Sequence, residues 1–399
     1  MESSFAELIL HDGRVPPNLL HYMKRLSHAI LSYIYEVFGP DEIVRRVSDP
    51  YWFQAFNNVI GMDWDSSGST TVVIYMLKSF ADANSFKDLG IAVLGGKGAD
   101  SRNIINETKK LDDSINPNYI ETISKLGAKI DGVALQDGYT LYIHSIVLSE
   151  NGLWTIIQQG MNTNTRLARR YHIHGNSMIR IDKDPHSGIA CNNIGLALNL
   201  IDREAEQSRK TILEVVSSTS YNSLLKEIAY VNRVIRGDKG LEQWLSNRIL
   251  YDSKNTQSIE IEKIKQQIYR PIVNMARIEH VLKKLNELKP HTFEELLLSK
   301  GVGPETIRAL ALVADVIYHS RPSFKDPVTH PLDPFIYSYA HGGKDGIPYP
   351  VKIDLMKQTI NFLEDAIQES KLDINTKKRA LERLYKMFRE ILVKEQTQA

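Results

Sequence analysis

The sequence contains a single cysteine, Cys191, among its 399 residues. One thiol excludes an intramolecular disulfide and a zinc cluster built from several cysteines. The fold therefore depends on hydrophobic cores, which the length of the chain and its hydrophobic content of 42% allow. A nearly cysteine-free sequence fits a reducing compartment, and we expect a cytoplasmic protein.

An excess of charge of one sign is also absent, since 49 Lys and Arg residues face 48 Asp and Glu residues. A cationic surface over the whole protein is excluded, so a nucleic-acid site has to be a local patch. The sequence has no run of about twenty apolar residues, which a membrane-spanning helix needs. Glu2 and Glu7 stand where a signal peptide would be basic. We expect a soluble protein without a membrane partner.

The most distinctive segment is Gly301-Val302-Gly303-Pro304, which lies between two helical patterns. Residues 292–300 and 305–318 each carry an apolar stripe, as packed helices do. Two glycines favour a tight turn that a Cβ would obstruct, and Pro304 suits the first position of a helix. The pattern is typical of a helix-hairpin-helix, although a plain helix pair with a glycine cap has the same signature.

In a helix-hairpin-helix the turn and the following helix N-terminus bind one backbone phosphate without reading bases. We therefore predict that Gly301, Gly303 and Pro304 contact DNA. Arg308 lies one turn into the second helix and is expected to reach the same strand.

Acidic residues in the front half are candidates for a metal centre. Asp63 lies in a polar stretch between apolar runs, where an acid-capped turn is the alternative. Asp131 and Asp137 precede a strong β-hairpin signal centred on residues 151–152, and Gln158 closes its second strand. Magnesium and manganese prefer such oxygen ligands. We predict that these four residues hold Mg or Mn and that Asp63 and Asp137 are catalytic.

Lys97 lies in a glycine-rich loop, residues 95–98, that we expect after a buried strand. A nucleotide-hydrolysing P-loop is excluded because Ile91 and Gly98 stand where that motif needs a glycine and a hydroxyl residue. Lys97 is instead a candidate for stabilising charge on a phosphodiester.

The segment 162–171 contains the densest group of arginines, and two of them, Arg166 and Arg170, are predicted to bind DNA. Arg169 is predicted to stabilise the transition state. His172 is an alternative catalytic residue, and a solvated basic face is the competing interpretation. A glycine-dense segment, residues 340–346, adds Lys344 as a further DNA contact.

These patterns predict an α+β protein with two domains. Residues 1–215 would form a mixed α/β catalytic domain with a β-hairpin-containing sheet. Residues 216–399 would form an all-α domain that contains the helix-hairpin-helix at 292–318. A second copy of the chain, in a homodimer, is a further candidate partner.

The motifs together resemble the seven-sixty-three domain-of-unknown-function family of archaea and bacteria over nearly the whole chain. Asp65 stands where we expect His in the family pattern, so the resemblance assigns no catalytic role to Asp65. It implies a fold rather than an activity. The matching residues are 11–17, 49–54, 63–64, 66–68, 95–98, 134–138, 158–162, 168–172, 301–311 and 340–346.

The hairpin is also similar to that of base-excision DNA glycosylases, in which an aspartate follows the Gly-Val-Gly-Pro motif. Asp326 occupies that place and is an alternative catalytic residue. Glu305 stands where the bifunctional enzymes have lysine, so the resemblance does not extend to an abasic lyase.

Three functions follow as hypotheses. The first is a metal-dependent DNA nuclease or repair-linked DNA-processing enzyme, in which a bound ion activates water. The second is a monofunctional DNA glycosylase that uses Asp326. The third is a DNA-binding scaffold without chemistry.

Overall fold

The computed structural model describes residues 15–63, 67–111, 115–176, 181–191, 193–235, 268–330, 341–344, 346, 350–369 and 378. Within these ranges the chain is a mixture of α-helices and antiparallel sheets, which confirms the predicted α+β class. None of the helices in these ranges has the length and apolar character needed to cross a membrane. The sequence pattern also predicts a helix at 374–395, which apart from residue 378 lies outside the described residues.

The α-helices of the described ranges are α1 (Pro17–Phe38), α2 (Pro40–Ser48), α3 (Pro50–Val59), α4 (Gly68–Phe80), α5 (Phe86–Leu89), α6 (Ile104–Thr108), α7 (Pro117–Lys129), α8 (Glu206–Ser218), α9 (Tyr221–Ile235), α10 (Met275–Leu288), α11 (Phe293–Leu298), α12 (Pro304–Val316) and α13 (Ile353–Glu369). A π-helical turn, Ile130–Ala134, follows α7 directly.

The strands are β1 (Ile91–Lys97), β2 (Leu135–Gln136), β3 (Thr140–Ser149), β4 (Trp154–Asn162), β5 (Leu167–Gly175), β6 (His186–Ala190), β7 (Leu196–Asn199) and β8 (Ser323–Lys325). One sheet has the order β1-β3-β4-β5-β6 and the other has the order β2-β7-β8. Every pair of neighbours in both sheets is antiparallel. The β3–β4 pair confirms the predicted hairpin, and Gly152 takes a φ of 81° in its turn.

Strand alternation divides the five-stranded sheet into two buried faces. Ile157 joins the core formed with α1–α4, and its neighbour Ile156 joins the core formed with α7–α12. We call these the α1 face and the α7 face. Because both faces are covered, polar side chains on these strands are buried and have to find partners inside the protein.

The prediction of a glycine-rich loop at residues 95–98 is corrected, because β1 continues through Gly95 and Gly96 to Lys97. Its ladder with β3 pairs Lys97 with Ile143. Glu107 reinforces this segment by accepting a hydrogen bond from the Gly95 N–H at 2.7 Å. The glycines therefore extend a strand instead of forming a phosphate-binding loop.

Two segments beyond residue 216 join elements of the front half. Strand β8 pairs with β7, and Met356 and Ile360 of α13 belong to the same core as α1. The division into 1–215 and 216–399 stays a prediction, and these contacts cross its boundary.

Candidate functional site

The Gly-Val-Gly-Pro segment connects two helices, α11 and α12, as the sequence predicts. Gly301 takes a φ of 96°, and a Cβ there would meet Val281 Cγ2 at 3.0 Å. Gly303 differs: its φ of −139° is extended, and a Cβ would meet Arg277 Nη2 at 3.9 Å. The expectation that both glycines are required is corrected, because only Gly301 has a backbone conformation that favours glycine.

Basic side chains surround this turn. Lys129 Nζ donates to the backbone carbonyl of Val302, and Arg277 lies next to Gly303. Burial lowers the pKa of Lys129, and the nearby Arg277 lowers it further. Lys300 is exposed next to Gly301. The turn is therefore electropositive in a chain whose net charge is only +1.

Arg308 is partly buried, and it is connected to the turn through Gln136. Its Nη1 donates to Gln136 Oε1 at 3.3 Å, and Gln136 Nε2 donates to the Pro304 carbonyl at 2.9 Å. Burial lowers the pKa of Arg308, and the neighbouring Arg270 acts in the same direction. Arg308 therefore lies at the hairpin, near a second arginine, and its contact with DNA stays a prediction.

The π turn places Asp131 on the α7 face, and its carboxylate is fully buried. Asp131 Oδ1 lies 2.6 Å from His186 Nε2, and Oδ2 accepts from Gln158 Nε2 at 2.5 Å. Burial raises the pKa of Asp131, while the charge and hydrogen bond of His186 oppose this shift. Asp131 and Gln158 are therefore brought together as predicted, with a histidine as their third partner.

The same network continues on the other side of Gln158. Gln158 Oε1 lies 3.0 Å from His144 Nδ1, and His144 Nε2 lies 2.8 Å from Ser124 Oγ. Because the amide oxygen can only accept, Nδ1 of His144 has to be the donor and Nε2 the acceptor. Burial lowers the pKa of His144 to about 4, which keeps it neutral at pH 7.

Asp137, Arg169 and Asp326 meet in a second cluster on the α7 face. Arg169 Nη1 donates to Asp137 Oδ2 at 2.8 Å, and both Arg169 Nη atoms donate to Asp326 at 2.8 and 3.0 Å. Tyr171 adds a hydrogen bond to Asp137 at 2.8 Å. Three residues with separate predicted roles are thus joined in one buried ion cluster.

Asp63 lies between α3 and α4, on the α1 face of the sheet. Its carboxylate is 3.7 Å from Lys344 Nζ, and both side chains are buried. The carbonyl of Asp63 accepts hydrogen bonds from Asn57 and Ser69, each at 3.0 Å. Lys344 is therefore an ion-pair partner of Asp63 rather than an exposed cation.

The predicted basic patch is divided by strand alternation. Arg170 and His172 point to the α1 face, where Arg170 donates to Gln54 Oε1 at 3.3 Å and to His172 Nε2 at 3.0 Å. His172 Nδ1 lies 2.9 Å from the Val47 carbonyl. Burial lowers the pKa of His172 well below its usual value, and Arg170 lowers it further. Both side chains are structural partners inside the protein.

Lys97 and Arg166 remain at the surface, but in different places. Lys97 Nζ lies 5.8 Å from the centre of the Tyr142 ring at the end of β1. Arg166 has a φ of 60° in the turn between β4 and β5. Neither residue belongs to the clusters around Asp131 or Asp137.

The predicted metal centre is not assembled, because Asp63 and Asp137 lie on opposite faces of the sheet. Asp137 is occupied by Arg169 and Tyr171, whereas Asp63 pairs with Lys344. In the ranges that the structure describes, no three His, Cys, Asp or Glu side chains are placed to share an ion. We therefore derive no step through Mg or Mn at these residues.

The family comparison agrees with the motifs of the sequence. A family model described as "Protein of unknown function (DUF763)" matches residues 4–351. The chain belongs to this family. No curated protein and no solved structure matches the chain.

Sequence reasoning missed three residues of this DUF763 member: Ser124, His144 and His186. The Asp184-Pro185 pair before His186 is only a turn signal, and His144 has the position of an ordinary β-strand residue. A polar residue on a strand that is covered on both faces has to be buried and hydrogen-bonded, which marks it as a candidate site residue. The sequence alone does not show that both faces of this sheet are covered.

Proposed function

We propose that this protein binds the sugar–phosphate backbone of DNA through the turn between α11 and α12. The observation that supports this proposal is the concentration of cations at that turn, in a chain with almost no net charge. Lys129 holds the Val302 carbonyl, and Arg277 borders Gly303. An exposed glycine turn followed by the N-terminus of a 13-residue helix presents N–H groups and a positive dipole to a phosphate.

The acid nearest the turn is Glu305, whose negative charge also acts on Arg308. Glu305 follows Pro304, and its Oε1 accepts a hydrogen bond from the Val273 N–H at 2.8 Å. That contact directs the carboxylate toward the segment before α10. Phosphate binding at the turn is therefore compatible with the glutamate that replaces the glycosylase lysine.

Such a site contacts backbone phosphates and no base edges, so its binding should depend on salt more than on sequence. We expect similar affinities for duplexes of different sequence. The logarithm of the affinity should fall linearly with the logarithm of the salt concentration, with a slope set by the few phosphates that are neutralised.

The test is fluorescence anisotropy with labelled duplex DNA, using Gly303→Glu against the wild-type protein. Gly303 accepts a side chain without steric conflict, so this variant should fold and place a carboxylate beside Arg277. We expect a loss of affinity of about tenfold or more, because a negative charge added next to the bound phosphate costs on the order of 1.4 kcal/mol.

Gly195→Glu is the matched control, because a Cβ at Gly195 also meets open space and the Gly195 N–H binds Asp326 rather than a residue of the hairpin. It should bind DNA as the wild-type protein does. Equal affinities of the Gly303 and Gly195 variants, with both folded, would refute binding at the turn.

Processing of the bound DNA is the second candidate function. It is favoured by the buried pair of Asp131 and His186, because Asp131 belongs to the π turn that directly follows Lys129, the residue that binds the hairpin. Incubation of labelled duplex, single-stranded and branched DNA with and without divalent ions tests it. A glycosylase role for Asp326 has less support, since Arg169 binds both of its oxygens.

A further inference from the structure

We propose that His186 is a general base and that Asp131 positions it, together forming an acid–base centre for phosphodiester hydrolysis. This inference rests on the proposed function, because the substrate is the nucleic-acid strand held by the hairpin. Neither the sequence patterns nor the family description assigns a role to His186.

Two hydrogen bonds fix the orientation of the pair. Asp131 Oδ1 lies 2.6 Å from His186 Nε2, and Gln158 holds the other carboxylate oxygen at 2.5 Å. A carboxylate accepts the Nε2–H of the imidazole, so the lone pair of the neutral ring is on Nδ1. This is the arrangement in which a buried acid orients a histidine base.

His186 differs from the other two histidines of these clusters in its remaining nitrogen. Both ring nitrogens of His144 and of His172 have partners within the protein. In the part of the chain that the structure describes, Nδ1 of His186 has no hydrogen-bond partner, and this atom is not fully buried. About 7% of the His186 side chain is exposed, which gives Nδ1 a way to solvent.

The π turn connects this pair with the hairpin. Lys129, immediately before the turn, binds the Val302 carbonyl, and Gln136, just after it, donates to the Pro304 carbonyl. Asp131 is the second residue of the same turn, and its carboxylate binds Gln158 of the sheet. π-helical turns are rare and occur frequently at functional sites, where they displace a side chain from the regular helical pattern.

The reaction balances without a metal or a redox partner. His186 Nδ1 takes a proton from a water molecule while the water oxygen forms a bond to phosphorus. The bond between phosphorus and the leaving sugar oxygen breaks, and that oxygen takes a proton from solvent. His186 then returns its proton to solvent, and Asp131 stabilises the imidazolium that exists in between.

Chemical modification tests the predicted lone pair independently of activity. Diethyl pyrocarbonate acylates accessible, unprotonated imidazole nitrogens, and peptide mapping by mass spectrometry resolves each histidine. We expect modification of His186 and protection of His144 and His172. Asp131→Asn should slow the modification of His186, because the amide no longer polarises the ring.

Hydrolysis is measured on bis(p-nitrophenyl) phosphate and on labelled duplex DNA, both in EDTA. We expect His186→Ala to lose about a hundredfold in rate, the usual contribution of a general base. Added imidazole should restore part of this loss, which a structural role of His186 would not permit. His280→Ala, at an exposed position of α10, should have wild-type rates.

His186→Gln serves if the alanine variant does not fold, since its amide can still donate to Asp131. Gly303→Glu should lose DNA cleavage but retain hydrolysis of the small ester, which separates the two proposals. Protection of His186 from diethyl pyrocarbonate in the folded protein, or rates of His186→Gln equal to those of the wild type, would overturn the dyad. Neither result would affect DNA binding by the hairpin.

Discussion

Asp326 accepts two hydrogen bonds from the guanidinium group of Arg169, at 2.8 and 3.0 Å, across 157 residues of sequence. This pair attaches the segment after β8 to the central sheet. Asp137 binds the same guanidinium group, and the ring of Tyr139 lies 4.4 Å from it. The two carboxylates and the aromatic face stabilise this guanidinium group in the interior, although its Nε has no hydrogen-bond partner among the described residues.

Replacement of Asp326 by Asn should therefore be destabilising. It leaves Arg169 with Asp137 as its one carboxylate partner and weakens two buried hydrogen bonds, which costs about 1–3 kcal/mol. Urea denaturation followed by circular dichroism measures the loss. Glu204→Gln is the control, because its ion pair with Lys325 is exposed and should leave the unfolding transition unchanged. A fully stable Asp326→Asn protein that no longer acts on DNA would restore the catalytic interpretation of Asp326.

The sequence identified Asp137, Arg169 and Asp326 as unusual residues but assigned them to different sites. Composition and spacing show which residues are chemically able to act, and they do not show which of them meet. The distance of 157 residues between Arg169 and Asp326 is bridged by β-sheet pairing that no local pattern encodes. The elements themselves were more predictable, since Pro304 begins α12 and residues 151–152 lie in the β3–β4 turn.

A second prediction concerns the two glycines of the hairpin. Gly301→Ala should lower the free energy of unfolding by about 1–2 kcal/mol, the cost of a left-handed backbone for a residue with a Cβ. Close contact with Val281 adds to this cost. Gly303→Ala should change it by less than about 0.5 kcal/mol, as for other open surface positions. Equal losses in parallel urea titrations would contradict the backbone geometry of the turn.

The sequence pattern of the arginines failed for a physical reason. Arg169 and Arg170 are neighbours in sequence, and a strand sends their side chains to opposite faces of the sheet. On a sheet covered on one side only, one of them would have reached solvent. The coverage of both faces by helices depends on packing between distant elements. The arginines that the sequence suggests as one surface patch therefore lie in two separate buried clusters.

Stability should decrease as the pH falls below about 6.5, where an ordinary histidine takes up a proton. Burial lowers the pKa of His28 to about 3 and that of His144 to about 4, and His28 is also affected by Lys24. A histidine whose pKa is lowered in the folded state stays neutral there while the unfolded chain binds a proton. Each such residue therefore removes up to about 1.4 kcal/mol per pH unit on acidification.

Urea titrations at pH 7 and 5.5 measure this dependence, and His28→Gln should show a smaller difference between the two. The buried Asp131 and Asp137 act in the opposite direction, because burial raises their pKa values and favours proton uptake by the folded state. A wild-type protein whose stability increases on acidification over this range would mean that the carboxyl groups dominate. A His28→Gln protein with the same difference as the wild type would mean that the histidine assignment is wrong.

The last prediction concerns Lys129, which connects the hairpin to the π turn. Lys129→Met keeps most of the side-chain volume and removes the hydrogen bond to the Val302 carbonyl, at a cost of about 1 kcal/mol. Because the same change removes a cation from the turn, we expect weaker DNA binding and a smaller salt dependence. Hydrogen exchange at the amides of α12 should accelerate, whereas exchange in β3 should not. Lys125→Met, whose lysine lies one turn earlier and is exposed, is the control for charge on α7. If both variants bind DNA and exchange alike, the hairpin is held by its apolar core alone and Lys129 does not link it to Asp131.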